Sequence, residues 1–246
     1  MRKSPSCASV HRQSGEANYF CPLLKTERRS SEEEICSVCD AFYRATEKDE
    51  RLERAFFFAA KAHAGQMRKG SDIPYLIHLV RTWAYVQRLT DSSEEQAAAL
   101  LHDVLEDTSV TLKELRDIFG AYIAALVGAE SECKRAERPP AETWEIRKME
   151  TLNRLHRIMQ REDGRPYLHI ALGDKLANLF SMSFEYAQKG EQLWQKFNQK
   201  DKRMHAWYYG ELGMIFGEYF TYGAEKLLVQ EYFQYYKEIF GSIPVR

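Results

Sequence analysis

The stretch LLHDVLEDT, Leu100–Thr108, sets four ionisable side chains inside an otherwise apolar part of the chain. An α-helix turns by about 100° per residue, so these four fall within an arc of roughly 140° and the apolar side chains lie opposite. The ionisable residues are His102, Asp103, Glu106 and Asp107. The spacing therefore predicts a helix that is anchored by its apolar side and presents one polar face.

This polar face carries more negative charge than a surface helix usually holds. Three carboxylates lie beside one imidazole, and no Lys or Arg follows any of them at i+4 to offset their repulsion. A divalent ion would supply the missing positive charge, because carboxylate oxygens and neutral imidazoles are ligands for Mn²⁺, Fe²⁺ and Zn²⁺. The alternative is an ordinary acidic helix end with a buried, hydrogen-bonded histidine.

Two further segments carry ionisable residues of the same kind. RKGSDIPYLIH brings His78 to the start of a helix behind a basic loop, and HIALGDKLANL places Asp174 in a markedly apolar helix. A buried carboxylate without a partner is costly, so Asp174 needs either a metal ion or a cation such as Lys175 or Arg147. His78 could instead be a core histidine whose ring nitrogens are hydrogen-bonded within the protein. Together with the HD pair, the two segments favour one shared metal site over coincidence.

The chain has 246 residues, of which 44% are hydrophobic, and this is enough for one large domain with a sizeable core. Residues 1–30 lack helical periodicity and are expected to form a disordered or loosely docked extension. Residues 31–246 are expected to form one helical domain. No period-two alternation is long enough to argue for a sheet, so the sequence predicts an all-α bundle of about ten helices.

Helix start and stop signals divide this domain. A Ser cap and following glutamates open a helix in SSEEEICSVCDAFYRA, the next helix ends near Gly70, and one continuous helix runs through SSEEQAAALLHDVLED. Two shorter helices are separated by Gly120. Longer helical segments follow: TWEIRKMETLNRLHRIMQ, YLHIALGDKLANLFSMSFEYAQK, DKRMHAWYYGELGMIFGEYF and GAEKLLVQEYFQYYKEIF.

Composition limits the classes of partner and compartment. The formal net charge of -1 gives no field that would attract nucleic acid or an anionic membrane. The five cysteines are an odd number, and no apolar secretory segment opens the chain, which favours a reducing cytoplasm. Cys36 and Cys39 form a CxxC pair. Two helix cysteines are a better interpretation of this pair than a zinc site, because a second pair of ligands at similar spacing is lacking.

The segments around His78, the HD pair and Asp174, in this order, resemble the HD-domain phosphohydrolases, whose H…HD…D signature holds a divalent ion within a helical bundle. They are more narrowly similar to the hydrolase domain of RelA/SpoT-type alarmone enzymes and to small stand-alone alarmone hydrolases of the metazoan SpoT homologue type. This resemblance is specific because three features occur together: the basic RK loop, the PYxxH start of the next helix and the HDxxED extension. It spans about residues 55–180, with additional C-terminal helices at 200–240.

The resemblance implies roles residue by residue. The metal ligands would be His78, His102, Asp103 and Asp174, with Mn²⁺ as the ion that the family typically uses and Fe²⁺, Zn²⁺ or Mg²⁺ as further options. Glu106 and Asp107 would be the catalytic acidic pair. The chemistry of these residues agrees, because a divalent ion polarises a phosphoryl oxygen and activates water, while a carboxylate one turn away can orient or deprotonate the nucleophile.

The same resemblance implies three contacts with the substrate. Arg68, from the RK pair, would stack on a purine base through its planar guanidinium. Lys69 would meet a phosphate, although a solvated position is an equally good interpretation. Asn178 would contact the ribose, and its i+4 spacing from Asp174 places the two side chains together.

The chain also departs from the family pattern at three positions. Gly173 stands where relatives usually carry Ala, and Leu79 follows His78 where Pro is common. Ala177 replaces a larger, often aromatic residue. We therefore expect Ala177 to widen or reshape the pocket for the sugar and base, which leaves the preferred nucleotide open.

The resemblance thus predicts a guanosine-3′,5′-bis(diphosphate) 3′-pyrophosphohydrolase-like enzyme. It would remove the 3′-pyrophosphate from a purine nucleotide alarmone such as ppGpp and release GDP or GTP and pyrophosphate. Two alternatives stay open: a phosphohydrolase of another nucleotide, such as pppApp or NADPH, and a non-catalytic protein that senses nucleotides or binds a partner. The expected partner is a small purine nucleotide, without nucleic acid or membrane, and a homo-oligomer is left open.

Overall fold

A computed structural model of the chain describes residues 18–21, 26–29, 49–132, 135 and 137–241. In these ranges ten α-helices and one 3₁₀ helix follow one another, which confirms the all-α prediction. They are α1 (Glu50–Ala62), α2 (Leu76–Val86), α3 (Ser93–Leu101), α4 (Val104–Asp107), α5 (Leu112–Phe119), α6 (Ala121–Glu130), α7 (Pro140–Met159), α8 (Arg165–Lys189), the 3₁₀ helix (Gly190–Lys196), α9 (Lys202–Tyr219) and α10 (Gly223–Phe240). None of these helices has the length and apolar character needed to cross a membrane.

Two short strands precede the helical bundle. β1 (Asn18–Cys21) pairs antiparallel with β2 (Thr26–Arg29). Each strand has four residues, the lower limit at which alternation can indicate a strand, so the sequence patterns did not predict the hairpin. The hairpin falls within residues 1–30, whose loose docking stays a prediction. The helix predicted in SSEEEICSVCDAFYRA and the CxxC pair within it lie outside the described residues.

The first long helix is shorter than its sequence pattern predicts. α1 ends at Ala62, whereas the pattern placed its end near Gly70. Gly65 has a φ of 77°, a left-handed conformation that favours glycine, and it turns the chain out of the helix. The loop that follows is closed by a main-chain bond in which the N–H of Tyr75 donates to the carbonyl of Gln66 at 2.9 Å. The basic loop is therefore held in a fixed shape at the start of α2.

The prediction of one continuous helix through LLHDVLED is wrong, because α3 ends at Leu101 and α4 begins at Val104. The imidazole Nδ1 of His102 lies 2.8 Å from the carbonyl oxygen of Ala99 and must donate to it, since a carbonyl only accepts. In a continuous helix this carbonyl would accept from the N–H of Asp103, so the side chain competes with the backbone. The HD pair consequently lies in a turn between two helices.

Two apolar clusters form the core, and α8 runs between them. Phe56 and Leu100 belong to an N-terminal cluster built mainly by α1, α2, α3, α5 and α6. Tyr232 belongs to a C-terminal cluster built mainly by α7, α8, α9 and α10. α8 contributes Ile170 to the first cluster and Leu176 to the second. Since α8 is packed on both sides and lies along α2, polar residues on either helix are carried into the interior.

α8 approaches α2 closely at Gly173. A Cβ atom on this residue would lie 2.7 Å from Cγ2 of Val86 and 3.2 Å from the carbonyl oxygen of Thr82. Real Cβ atoms do not approach neighbours so closely in well-packed cores, where an added methyl group forces shifts of the surrounding atoms. The glycine that departs from the family pattern at this position therefore has a packing reason.

We predict that Gly173→Ala destabilises the fold. Overpacking of a core typically costs about 1–3 kcal/mol, and the better helix propensity of Ala offsets about 1 kcal/mol of this. The net loss in free energy of unfolding should be up to about 2 kcal/mol, measured by urea denaturation.

Gly128→Ala is the matched control, because Gly128 also lies within a helix but its added Cβ would meet only Cδ1 of Leu112 at an ordinary 3.5 Å. This variant should be neutral or stabilised by about 0.5–1 kcal/mol. Equal responses of the two variants would contradict the close approach at Gly173.

Candidate functional site

Four side chains from three parts of the fold point at one another in the interior. His78 lies on α2, His102 and Asp103 lie in the turn after α3, and Asp174 lies on α8. The two imidazole Nε2 atoms are 3.2 Å apart. Each of them lies 3.0–3.5 Å from Oδ2 of Asp103 and from Oδ1 of Asp174. The structure therefore brings together all four residues that the resemblance indicated as metal ligands.

This set of donor atoms fits a divalent ion. Ligands about 2.1 Å from an ion and separated by about 90–110° lie about 3.0–3.4 Å apart. The distance between the two Nε2 atoms and the distances from each of them to the two carboxylate oxygens are close to this spacing, and donor atoms of His78, His102 and Asp103 all lie within 4.8 Å of one another. The bond from Nδ1 of His102 to Ala99 leaves the lone pair of its Nε2 directed into the cluster. Without an ion, Nε2 of His102 faces the carboxylates of Asp103 and Asp174; burial lowers the pKa of His102, but these negative charges raise it well above its usual value. The His/Asp cluster can thus bind a metal ion.

Neighbouring side chains orient the two carboxylates. The hydroxyl of Tyr75 donates to Oδ2 of Asp103 at 2.7 Å. The amide of Asn178 donates to Oδ1 of Asp174 at 2.7 Å, and Lys175 forms an ion pair with Oδ2 of the same residue. One oxygen of Asp174 therefore pairs with Lys175, as the sequence allowed, while the other faces the imidazoles.

The electrostatics of the cluster keep both carboxylates ionised. Burial raises the pKa of Asp174, but the positive charge of Lys175 and hydrogen bonds from His102 hold that pKa well below its usual range. Burial of Asp103 is outweighed in the same way by His102, which holds the pKa of Asp103 well below its usual range. Ionised carboxylates are the form that binds metal.

The acidic pair lies one turn beyond the HD turn, on α4. Glu106 and Asp107 face the same small cavity, of about 140 Å³, as the His/Asp cluster. Oε2 of Glu106 accepts a hydrogen bond from the main-chain N–H of Glu132 at 3.3 Å. The amide of Gln66 donates to the main-chain carbonyl of Asp107 at 2.8 Å. α4 has only four residues, so these contacts from outside the helix hold the pair in position.

The cavity also receives two of the three residues predicted to contact substrate. Nη2 of Arg68 donates to Oδ1 of Asn178 at 2.8 Å, and its guanidinium carbon lies 5.5 Å from the ring centroid of Tyr75. Lys69 is exposed, does not line the cavity and reaches Oδ1 of Asn198 at 3.2 Å. Its contact with a phosphate stays a prediction.

Several residues of the cavity wall were not predicted as site residues. They are Tyr75, Glu130, Glu132, Lys148 and Lys175. Tyr75 and Lys175 could have been found from their spacing, since one lies within the PYxxH motif and the other directly follows Asp174. The other three come from α6, the segment after it and α7, and no local pattern connects these residues with the metal cluster.

The expectation that Ala177 shapes the nucleotide pocket is wrong. Ala177 is fully buried in the C-terminal apolar cluster and does not line the cavity. On a helix its side chain points about 60° away from that of Asp174, whereas Asn178 points about 40° to the other side and stays at the cavity. A larger residue at position 177 would therefore press on the core rather than on a substrate.

Comparisons with known proteins agree with this geometry. Residues 55–202 match a family model described as HD domain. The chain is 33% identical over 136 residues to "Probable GTP diphosphokinase RSH3, chloroplastic" of Arabidopsis thaliana, which covers 55% of this chain and 19% of that protein. It is 32% identical over 130 residues to "Guanosine-3′,5′-bis(diphosphate) 3′-pyrophosphohydrolase" of Aquifex aeolicus, which covers 53% of this chain and 17% of that protein. The chain thus spans less than a fifth of the length of these curated relatives.

A solved structure shares the fold over a larger part of both chains. It is that of a metazoan ortholog of SpoT, described as hydrolysing ppGpp and acting in starvation responses. The TM-score is 0.57 at 21% identity, and the match covers 76% of this chain and 95% of that chain. The residues matched by the family model make up more than half of the sequence, and they hold all four residues of the His/Asp cluster, so the chain belongs to the HD domain family.

Proposed function

We propose that this protein is a metal-dependent hydrolase that removes the 3′-pyrophosphate from a purine nucleotide alarmone such as ppGpp. One observation carries the proposal: the His/Asp cluster, the acidic pair, and the Arg68 and Asn178 side chains all line one cavity. The name of the Aquifex aeolicus relative and the activity described for the metazoan ortholog of SpoT support the same reaction.

In this proposal the four residues of the His/Asp cluster hold one ion: His78, His102, Asp103 and Asp174. We propose Mn²⁺, since two imidazoles and two carboxylates form a mixed donor set suited to that ion, and Fe²⁺, Zn²⁺ and Mg²⁺ are the alternatives. A bound divalent ion would lower the pKa of water and polarise a phosphoryl oxygen. The protein's contribution is to place substrate and proton-transfer groups around that position.

Glu106 is suited to move the proton of the attacking water. In the metal-free chain burial raises the pKa of Glu106 to about 7, and the negative charges of Asp103 and Glu132 act in the same direction. A carboxyl group that titrates near neutrality can accept a proton and return it within one catalytic cycle. The water oxygen bonds to the phosphorus next to the ribose, the bond from phosphorus to the 3′ oxygen breaks, and that oxygen takes a proton. ppGpp and water thus become GDP and pyrophosphate.

The remaining wall residues suit a purine nucleotide. Arg68 would turn from Asn178 to stack on the base, which frees the amide oxygen of Asn178 to accept from a ribose hydroxyl. Lys148 and Lys175 place two cations at the cavity wall, where phosphate oxygens would lie. Such a cavity serves a small nucleotide rather than a nucleic acid or a membrane. A cytoplasmic location remains a prediction from the sequence, and a homo-oligomer stays open.

The proposal is tested by incubating the Mn²⁺-loaded protein with ppGpp, pppApp and NADPH and identifying products by mass. We expect GDP and pyrophosphate from ppGpp. Pyrophosphate from pppApp alone, or orthophosphate from NADPH alone, would select a phosphohydrolase of another nucleotide instead. Saturable binding of a nucleotide without turnover would favour the non-catalytic alternative.

Two sets of variants should distinguish the residues that bind the metal ion from those that transfer protons. His102→Ala and Asp103→Ala should lose both bound metal, measured by elemental analysis, and turnover, because each removes one donor atom of the cluster. Glu106→Gln combined with Asp107→Asn should keep the ion and lose about 10²-fold or more of the rate, the usual size of general acid–base catalysis.

Circular dichroism checks that these variants fold, and Glu150→Gln on the exposed side of α7 is the control for an amide substitution. Hydrolysis at the native rate by the Glu106→Gln, Asp107→Asn variant would refute the acid–base assignment.

The raised pKa of Glu106 should make the free energy of unfolding depend on pH. Between pH 4.5 and about 7 the folded metal-free chain keeps a proton on Glu106 that the unfolded chain loses, so the free energy of unfolding falls as pH rises. Glu106→Gln removes this loss. The free energy of unfolding of Glu106→Gln minus that of the native chain should be about 2 kcal/mol larger at pH 8 than at pH 5. Both are measured by urea denaturation in the presence of a chelator. A difference that does not change with pH would contradict the raised pKa.

A further inference from the structure

Glu132, just beyond the end of α6, has its carboxylate clamped by one face of α7. Nη1 of Arg147 lies 2.9 Å from Oε2, Nζ of Lys148 lies 2.8 Å from Oε1, and Oγ1 of Thr151 lies 3.0 Å from Oε1. The Glu132 side chain is only 9% exposed. Three donors on a buried carboxylate leave residue 132 little freedom, so α7 determines where its main chain lies.

The main chain of the same residue reaches the acidic pair. The N–H of Glu132 donates to Oε2 of Glu106 at 3.3 Å. The preceding carbonyl, of Ser131, accepts from Nη1 of Arg154 at 3.2 Å, which adds another tie to α7. The carboxylate of Glu132 and the carboxyl group of Glu106 are therefore linked through one residue, with α7 on one side and the cavity on the other.

If the contacts of the Glu132 carboxylate served only to join α7 to the segment after α6, burying this charge would cost free energy. Burial raises the pKa of Glu132, but the positive charge of Lys148 lowers it below its usual range, so the carboxylate stays ionised. Apolar residues of similar volume often replace a buried ion pair without loss of stability. Buried ionic groups do, however, fix one arrangement of the groups bonded to them, and this arrangement orients an N–H at Glu106.

We propose that Glu132 is a positioning residue for the hydrolysis. Its carboxylate is held by α7, and its N–H holds the carboxyl group of Glu106 in the cavity for proton transfer. This inference rests on the proposed function, in which Glu106 moves the proton of the attacking water.

A double-mutant cycle tests the link between the two residues with Mn²⁺-loaded protein and ppGpp. Glu132→Ala should lower kcat about tenfold or more, since small misplacement of a catalytic group is costly, with KM changed by less than about threefold. In the Glu106→Gln background the same substitution should lower kcat by less than about twofold. Losses that multiply fully in the double variant, or an unchanged kcat in Glu132→Ala, overturn the proposal.

Two less disruptive variants keep the proposal testable if Glu132→Ala does not fold. Glu132→Gln keeps an oxygen for Lys148 and Thr151 and should retain more of kcat than Glu132→Ala. Thr151→Val removes one donor at constant shape and should lower kcat less than Glu132→Ala. Glu150→Gln makes the same chemical change as Glu132→Gln at an exposed position of α7 and should leave kcat unchanged. A kcat in Glu132→Gln no higher than in Glu132→Ala contradicts a role through the clamp.

Amide hydrogen exchange, followed by NMR on the metal-free protein, gives a readout that needs no substrate. The amide of residue 132 should be protected in the native chain and exchange faster in Glu106→Ala and in Thr151→Val. Equal protection in all three proteins overturns the positioning role. Native turnover by Glu106→Gln, in contrast, would count against the proposed acid–base chemistry, so failures of the two proposals are told apart.

Discussion

The contact between α2 and α8 is the interaction on which both the core and the site depend. Gly173 lets the two helices approach until only a hydrogen atom fits against Val86. The next residue, Asp174, then reaches Nε2 of His78 at 3.1 Å. A wider spacing would separate these groups by more than a shared ion can span. The packing of the bundle and the geometry of the cluster are therefore set by the same helix pair.

Burial of so many charges is the second constraint on this fold. Asp103 and Asp174 are both anionic in the interior, and each is supported by neighbours: Tyr75 donates to the first, and Lys175 pairs with the second. In the part of the chain that the structure describes, no cation is among the main influences on Glu106, and burial raises its pKa to about 7. Two kinds of carboxylate thus arise a few residues apart, one suited to bind an ion and one suited to exchange a proton.

Strong periodic patterns predicted most of the helices well, and the last helix begins and ends where its pattern does, at Gly223–Phe240. The early end of α1 and the break after Leu101 were missed, because a left-handed glycine and a bond from His102 to the backbone override helical periodicity. The role expected for Ala177 failed for a related reason: which face of α8 lines the cavity depends on the helices around it.

The sequence by itself determined which residue types meet at the candidate site, since the residues of H…HD…D and the acidic pair could be recognised from short segments with definite spacing. Only the tertiary structure decided their partners. Lys175 is adjacent to its carboxylate, but Glu132 meets Glu106 from 26 residues away, and Arg68 meets Asn178 from 110 residues away. Local periodicity cannot encode contacts between distant segments, because these depend on how closely α2, α7 and α8 pack.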